Sequence, residues 1–340
     1  MSSDTAATTA GPGLPQKRNS TTSRDRLVDF LGRYGVIIAL VLLIVFFSAM
    51  RPAVFLTPLN FFNILNQVSI LGIIGLGITV ALVQGHFDLS VAAVATLGGY
   101  LATSWLASGM IASPILAIVI VLIVAALVGV MSGILSSYFG ISSFIVTLAM
   151  GAILTGIVLG LSNSQTILSG IPDGFLVFGQ GRIGPVPAPV LFLAGVAVIL
   201  YVLLEHTQVG RHMYAIGGNA ETARLSGIAV KRYALTGLGI SAVCAALAGI
   251  VVAANLGVGR PQGVGDTYLL DAFAAAFIGA ATLRPGRFHI LGTVIGVLLI
   301  GVINNGLSIM GVETFWQYIV RGAILIIALL FASVLFARRK

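Results

Sequence analysis

Ten apolar runs, most of them long enough to cross a lipid bilayer, constrain the fold of this chain more than any other feature. About 20 apolar residues are needed to cross the hydrocarbon as a helix. Only 8% of the residues are charged, whereas soluble domains carry about 25%. The sequence therefore predicts an all-α polytopic membrane protein with about ten transmembrane helices. The predicted spans are Gly35–Met50, Val68–Gln84, Leu89–Leu106, Pro114–Ser137, Phe144–Leu161, Val190–Leu204, Ala234–Asn255, Tyr268–Ala281, Ile290–Ile309 and Phe315–Leu335.

The segments between these spans differ in length and polarity. Thr57-Pro58 is a typical helix start, so we expect an interfacial helix over Pro52–Asn66 that runs into the second span. The connector Ser162–Pro189 is too rich in glycine and proline to be a regular span, and we predict an ordered outer loop there. Gly257–Thr267 is predicted to be a second outer loop, and Thr282–Phe288 an inner turn.

The distribution of positive charge predicts the orientation. Residues 1–30 are rich in Ser, Thr and Gly, which favours a disordered cytoplasmic tail over a cleaved signal peptide. Residues 31–340 then form the transmembrane domain. Ten spans place both termini on one side, and 14 of the 18 Lys and Arg residues fall in segments that this arrangement puts inside. Because inner loops are enriched in Lys and Arg, both termini are predicted to be cytoplasmic.

Glycine is abundant, with 42 residues in the chain. Bilayer helices associate through small residues that let their backbones approach. Three pairs of glycines at a spacing of four residues are therefore predicted to lie at close helix contacts. They are Gly129 with Gly133, Gly156 with Gly160 and Gly292 with Gly296.

The stretch Glu205–Tyr233 is the one long polar segment between apolar runs, and it carries four Lys and Arg residues. Inside it, Asn219 can cap a short helix with Glu221 in its first turn, and Gly227 lies where a helix of about two turns would end. We expect this helix to press against the ends of neighbouring spans or against another protein. The alternative is an ordinary solvated connector. The apolar residues available for such a contact are Ala223, Leu225 and Ile228.

Ionisable and polar residues near the bilayer are candidates for the transport pathway, because a charge at membrane depth is costly. Asp88 can cap the helix that follows it, with help from Ser90, or it can act in transport or gating. His86 is either a gate residue or a solvated residue of the same turn. Asp271 is predicted to be a helix cap or a partner for Arg260.

Two further polar features lie near the C-terminal end. Asn304 and Asn305 form either interhelical hydrogen bonds or contacts with the pathway. Arg321 either extends to the outer surface or finds a carboxylate such as that of Glu313. The single cysteine, Cys244, lies in an apolar run, where it is predicted to serve packing. With no Walker-type phosphate loop, zinc-binding histidine cluster or nucleophile elbow, the chain is predicted neither to hydrolyse ATP nor to hold a metal.

These residues resemble a known family. Gln84–Ser90 followed by Val91 is similar to the "GG-I-D-L-S-V-G" turn of bacterial sugar ABC-transporter permeases of the ribose type. Gly217–Asn219, Ala223 and Ser226–Ile228 resemble the cytoplasmic coupling loop of that family, and the likeness covers roughly residues 35–335. The sequence departs from the pattern at three places, which are His86-Phe87 in place of Gly-Ile, Ala92 in place of Gly, and 282–287 in place of a Gly-rich turn.

The resemblance implies a permease subunit of an ATP-driven importer in the bacterial plasma membrane that translocates a monosaccharide or related polyol. Its implied partners are a cytoplasmic ATPase subunit, which binds ATP and magnesium, a periplasmic or lipid-anchored sugar-binding protein, and a second permease copy or a homologous permease. The implied coupling residues are Gly218, Asn219, Ala220, Glu221, Ala223, Arg224, Ser226 and Gly227. The pathway or gate candidates are His86, Asp88, Ser90, Asn304 and Asn305.

Two other function classes fit the chain less well. A self-sufficient secondary transporter usually places several charged or polar groups near the bilayer midplane, whereas Asp88 and Asp271 both lie near predicted span ends. A membrane enzyme requires a cluster of catalytic polar groups, and the sequence offers none.

Overall fold

The computed structural model describes residues 23–337, and within them the chain is helical apart from one small hairpin. The elements, in chain order, are α1 Ser23–Met50, α2 Pro52–Phe55, α3 Pro58–Val83, α4 Val91–Ala107, α5 Pro114–Phe139, α6 Ser143–Ser162, α7 Asp173–Gln180, β1 Arg182–Ile183, β2 Val186–Pro187, α8 Ala188–His206, α9 Gln208–Gly218, α10 Ala220–Leu225, α11 Val230–Leu256, α12 Asp266–Ala280, α13 Ile290–Ile309 and α14 Thr314–Ala337.

The all-α polytopic architecture is confirmed. Each of the ten predicted spans coincides with one helix, and seven of these helices are long and apolar enough to cross a membrane. The helices α4, α12 and α14 fall outside that group of seven. The number of crossings and the side on which the termini lie therefore stay predictions. The seven helices are α1, α3, α5, α6, α8, α11 and α13.

Several local predictions can be compared with the helix boundaries. The hydroxyl of Thr57 accepts a hydrogen bond from the backbone N–H of Asn60 at 3.2 Å, and Pro58 is the first residue of α3, so this helix start is confirmed. The expected interfacial helix is divided into α2 and the beginning of α3. The predicted tail overlaps α1, which begins at Ser23. Residues 1–22 lie outside the described residues, so the prediction of disorder for them stays untested.

The helix α11 is the centre of the bundle. It packs against α3, α4 and α5, and both α3 and α11 are buried along most of their length. In contrast, α1, α5, α6, α8 and α14 expose many apolar side chains. Apolar side chains on both faces of an outer helix are expected where the surrounding solvent is lipid.

Small residues permit these close contacts at two of the three predicted glycine pairs. A β-carbon on Gly129 would collide with the backbone carbonyl of Leu238, and one on Gly296 with that of Ala275. Their partners Gly133 and Gly292 are equally close to a neighbouring helix. The prediction was wrong for Gly156 and Gly160 on α6, where a β-carbon would meet nothing within 4 Å. Spacing alone did not distinguish a helix contact from an open face.

The connectors separate into two ends of the bundle. At one end, Glu205 near the end of α8 forms an ion pair with Arg284 in the turn between α12 and α13, and Arg287 of the same turn lies over Tyr214 of α9. At the other end, Ile167 and Gly259 exchange backbone hydrogen bonds, and the side chain of Gln180 donates to the carbonyl of Asn255 at 3.1 Å. The connector between α6 and α8 is ordered, as predicted, and it contains α7 and the β1–β2 hairpin.

The segment 257–267 was predicted to be a simple outer loop, and the structure differs from that prediction. Gly259 lies against Thr103 near the end of α4, whereas Gly265 lies against Ala92 near the beginning of the same helix. The backbone N–H of Gly265 also donates to the hydroxyl of Thr96 at 3.3 Å. The segment therefore runs back along α4 into the bundle before α12 begins.

Exchange of two helical glycines for alanine tests this account of the packing. Gly129→Ala should destabilise the protein by about 1 to 3 kcal/mol, because the added methyl group overpacks a backbone contact. Gly156→Ala is the matched control, since its methyl group enters open space, and it should leave stability unchanged or raise it. The apparent melting temperature in detergent is the measurement. Equal melting temperatures for the two variants would contradict the account.

Candidate functional site

The polar segment after α8 forms two consecutive capped helices. The hydroxyl of Thr207 accepts from the backbone N–H of Gly210 at 3.3 Å, which begins α9. The side chain of Asn219 accepts from the backbone N–H of Thr222 at 2.9 Å, which begins α10, as predicted. Sequence reasoning missed α9. Its signal was the helical spacing of three apolar residues that face the bundle, Val209, Met213 and Ile216.

The helix α10 ends where it was predicted to end. Gly227 has a φ of +84°, a left-handed conformation that glycine adopts without strain. The backbone N–H of Ile228 then donates to the carbonyl of Ala223 at 3.1 Å, which satisfies a terminal carbonyl of the helix. Geometry at both ends thus holds a helix of six residues at the surface.

Seven of the eight predicted coupling residues are exposed, and Ala223 is the exception. Ala223 is only 4% exposed, and its helix α10 packs against α9 and α11. Ala223 is therefore covered by the chain itself, and its part in coupling stays a prediction. Leu225 is 74% exposed, and it is the apolar residue on the solvent-exposed face of α10. The exposed coupling candidates are Gly218, Asn219, Ala220, Glu221, Arg224, Ser226 and Gly227.

The outer face of α10 also carries an ion pair. Arg224 donates to both carboxylate oxygens of Glu221, at 2.9 and 2.5 Å. This hydrogen bonding lowers the pKa of Glu221. Both side chains are more than half exposed, and exposed pairs contribute little to stability. The pair leaves opposite charges at the surface, beside Leu225.

A second charged cluster ties α8 and α9 to the turn between α12 and α13. The carboxylate of Glu205 accepts from Arg284 at 2.5 Å and from the hydroxyl of Tyr214 at 3.0 Å. The guanidinium of Arg287 lies over the Tyr214 ring, 3.9 Å from its centre. Burial, with the nearby charge of Glu205, raises the pKa of Tyr214, so its hydroxyl stays a donor. Sequence reasoning missed this cluster, whose members are far apart along the chain.

The pathway candidates in the turn 84–90 are held by hydrogen bonds. The buried carboxylate of Asp88 accepts from the hydroxyl of Ser90 at 2.6 Å and from its backbone N–H at 3.0 Å, directly before α4. The backbone N–H groups of Phe87 and Leu89 donate to hydroxyls at the beginning of α6, those of Ser143 and Thr147. His86 lies half-buried in this turn. A gating role for His86, Asp88 or Ser90 stays a prediction.

The same turn contacts α12 through aromatic rings. The ring of Phe87 stacks on that of Phe273, with 6.2 Å between centroids, and lies 6.4 Å from that of Phe277. Phe277 in turn meets Phe288 edge-on at 5.3 Å. Sequence reasoning treated Phe87 only as a departure from the family pattern. The contact connects the turn before α4 to the middle and the C-terminal part of α12.

Asn304 and Asn305 have different surroundings although they are adjacent in sequence. Asn305 is buried and exchanges two hydrogen bonds with the amide of Asn60 on α3, at 2.9 and 3.2 Å. Asn304 instead donates to the carboxylate of Asp271 at 2.9 Å and accepts from Arg321 at 3.2 Å. Both therefore make the interhelical hydrogen bonds that formed one of the two alternatives.

Two sequence-based pairings were wrong. Asp271 lies within α12, five residues after its first residue, so it is not a cap. Its partner is Arg321 on α14, with 3.6 Å between Nε and the carboxylate, rather than Arg260. Arg321 accordingly pairs with Asp271 and not with Glu313. A buried charge requires a partner, so one carboxylate and one guanidinium within apolar helices could have predicted that Asp271 pairs with Arg321.

Two open cavities lie between the helices, each with several polar side chains among its lining residues. The Asp271 cavity, of 330 Å³, is bounded by α3, α12, α13 and α14. The re-entrant cavity, of 450 Å³, lies where the segment 257–267 meets α4 and α6. Its lining residues are Ala93, Thr96, Thr155, Val158, Pro261, Gln262, Gly263 and Asp266.

Comparison with known proteins decides the family. The family described as "Branched-chain amino acid transport system / permease component" matches residues 60–329. The chain belongs to this permease family. It is 38% identical to the ribose import permease of Bacillus subtilis, over 92% of this chain and 98% of that protein. It is 35% identical to the ribose import permease of Escherichia coli K12, over 86% of this chain and 91% of that protein.

A further relative is named for a different sugar. The D-allose transport system permease of Escherichia coli K12 is 37% identical, over 88% of this chain and 91% of that protein. No solved structure matches the chain significantly. The family places this permease as a multi-pass protein of the inner membrane that is not itself an enzyme.

The amide pair between α3 and α13 gives a test of the structural role of Asn305. Asn305→Leu should destabilise the permease by about 1 to 3 kcal/mol, because the buried Oδ1 of Asn60 loses its partner, while Nδ2 still donates to the carbonyl of Phe55 at 3.0 Å. Replacing both residues by leucine removes both amides together with the bond to Phe55, and it should restore part of the loss. Thermal unfolding of the two variants in detergent is the measurement. A double variant less stable than Asn305→Leu would show that the pair does not act as a unit.

Proposed function

We propose that this permease carries an uncharged monosaccharide, of the ribose or allose class, into a bacterial cell as one subunit of an ATP-driven importer. The observation that carries the proposal is similarity over nearly the full length of a ribose import permease. The other sugar permeases among its relatives support the same substrate class. A self-sufficient secondary transporter is the alternative, and the family membership disfavours it.

We further propose that ten helices cross the membrane, with both termini and the α9–α10 pair in the cytoplasm. The charge asymmetry of the sequence supports this orientation. The grouping of the predicted inner connectors at one end of the bundle and of the outer ones at the other agrees with it.

The coupling proposal places the ATPase partner on the solvent-exposed face of α10. ATP and magnesium are bound by that partner, and a sugar-binding protein and a second permease copy complete the importer. Glu221, Arg224 and Leu225 are exposed there, so a short helix with an apolar centre and charged edges is available for a groove. The Glu205 cluster then connects α9 to the turn between α12 and α13. Displacement of α10, and with it α9, would act on α12 and α13 through the Glu205 cluster.

Reconstitution tests the substrate and the coupling together. Liposomes containing the permease, its ATPase and its binding protein should accumulate ribose or allose only when ATP is present. Leu225→Asp should weaken the ATPase contact about tenfold or more and abolish this uptake, because a charge enters the centre of the interface. Co-purification of the ATPase with each permease variant and uptake of labelled sugar are the measurements.

Leu168→Asp is the matched control, since Leu168 is also 74% exposed but lies in the connector between α6 and α7. It should leave co-purification of the ATPase unchanged. Accumulation of leucine with no sugar would contradict the proposed substrate class. Full ATPase binding and uptake by Leu225→Asp would contradict the coupling surface.

A further inference from the structure

The re-entrant segment, residues 257–267, reaches membrane depth. Its beginning lies against Thr103 of α4 and its end against Ala92. Those two residues are separated by eleven positions, or about 16 Å of helix at 1.5 Å per residue. The hydrocarbon of a bilayer is about 30 Å thick. With α4 crossing the membrane, as proposed above, the segment descends about half of that thickness before α12 begins at Asp266.

Part of this segment is irregular, polar and exposed. Gln262, Gly263, Asp266 and Thr267 are all exposed in the single chain. Irregular backbone at this depth cannot face lipid, because lipid offers no partner for its polar groups. Another protein surface or water must therefore cover the segment.

The carboxylate of Asp266 indicates that water, rather than a dry protein surface, covers the re-entrant segment. Among the ion pairs of residues 23–337, none includes Asp266. Covering this group with a dry surface would leave a buried charge without a partner, at a cost of several kcal/mol. Water solvates the carboxylate without that cost.

The walls of the re-entrant cavity suit a small uncharged polyol. Thr96 and Thr155 offer hydroxyls from α4 and α6, and Gln262 offers an amide from the segment itself. Its 450 Å³ is within the range of small-molecule sites, about 300 to 1,000 Å³. No cation is among its lining residues. Transporters commonly build substrate sites at the midplane where interrupted helices begin, and both α4 and α12 begin beside this cavity.

We propose that the re-entrant segment, with Thr155 on the facing helix, lines the aqueous pathway of the monosaccharide at membrane depth. This inference rests on the proposed function. It assigns the pathway to a surface that none of the five sequence-based pathway candidates occupies, since His86, Asp88, Ser90, Asn304 and Asn305 are absent from the cavity lining.

Cysteine accessibility in the reconstituted importer tests the proposal. In a Cys244→Ala background, which removes the single native cysteine, Gln262→Cys and Thr155→Cys should react with a hydrophilic methanethiosulfonate reagent. Ribose or allose under turnover should slow the reaction, and the bulky adduct should block uptake. Thr155→Cys lies on a regular helix, so it keeps the test valid if a change in the re-entrant segment impairs folding.

Val119→Cys is the matched control. Val119 is 46% exposed on α5, an apolar outer helix. Gly129, ten positions after Val119 on α5, packs beside Leu238 of α11. Gly249, eleven positions after Leu238 on α11, packs against Ala95 of α4. Because α5 and α11 are antiparallel, Val119 lies at about the depth of Ala95. A thiol facing lipid stays protonated, so Val119→Cys should react about tenfold or more slowly than the two pathway cysteines.

The outcomes separate this inference from the proposed function. Reaction of positions 155 and 262 as slow as that of position 119 would overturn the pathway assignment. Fast reaction with full uptake after modification would also overturn it. If the unmodified importer accumulates no sugar at all, the proposed function fails, whereas the reaction rates still report whether water reaches the segment.

Discussion

The need to satisfy every backbone polar group inside a bilayer is the constraint on which the rest of this structure depends. Regular helices meet it within themselves. Two irregular segments, 84–90 and 257–267, meet part of it through hydroxyls on adjacent helices. Ser143 and Thr147 accept from the first segment, and Thr96 accepts from the second. A few serine and threonine side chains on α4 and α6 thus help the chain to leave helical geometry, and the second of these segments is where the pathway is proposed to lie.

Close helix contacts bring these segments together. α11 is flanked by α3, α4 and α5, and glycines at the contacts let the backbones approach. At one end of the bundle, the Glu205 cluster fastens α9 to the turn after α12. Towards the other end, Asp271 and Arg321 join α12 to α14. The helix α12 is therefore held by charged groups near both ends, with the aromatic contact to Phe87 between them.

Local signals in the sequence predicted local structure well. Thr57-Pro58 and Asn219 marked helix starts correctly because capping depends on residues within one turn. Pairings between distant helices were not predictable in the same way. Asp271 was predicted to be a cap or a partner for Arg260, although its partner is Arg321, because sequence distance says nothing about which helices are neighbours. The contact of Ala223 was left open between neighbouring spans and another protein, and its burial within the chain could not be predicted because α9 was not recognised.

Exposure of a polar re-entrant segment was likewise invisible in the sequence, where Gly257–Thr267 has the composition of any outer loop. A cryo-electron microscopy reconstruction of the complete importer in lipid nanodiscs is the most direct measurement of the central claim. The account predicts a hydrated gap between the two permease copies, with Gln262 and Asp266 of each copy facing it. Ordered acyl chains packed against Gln262 and Asp266 would contradict it.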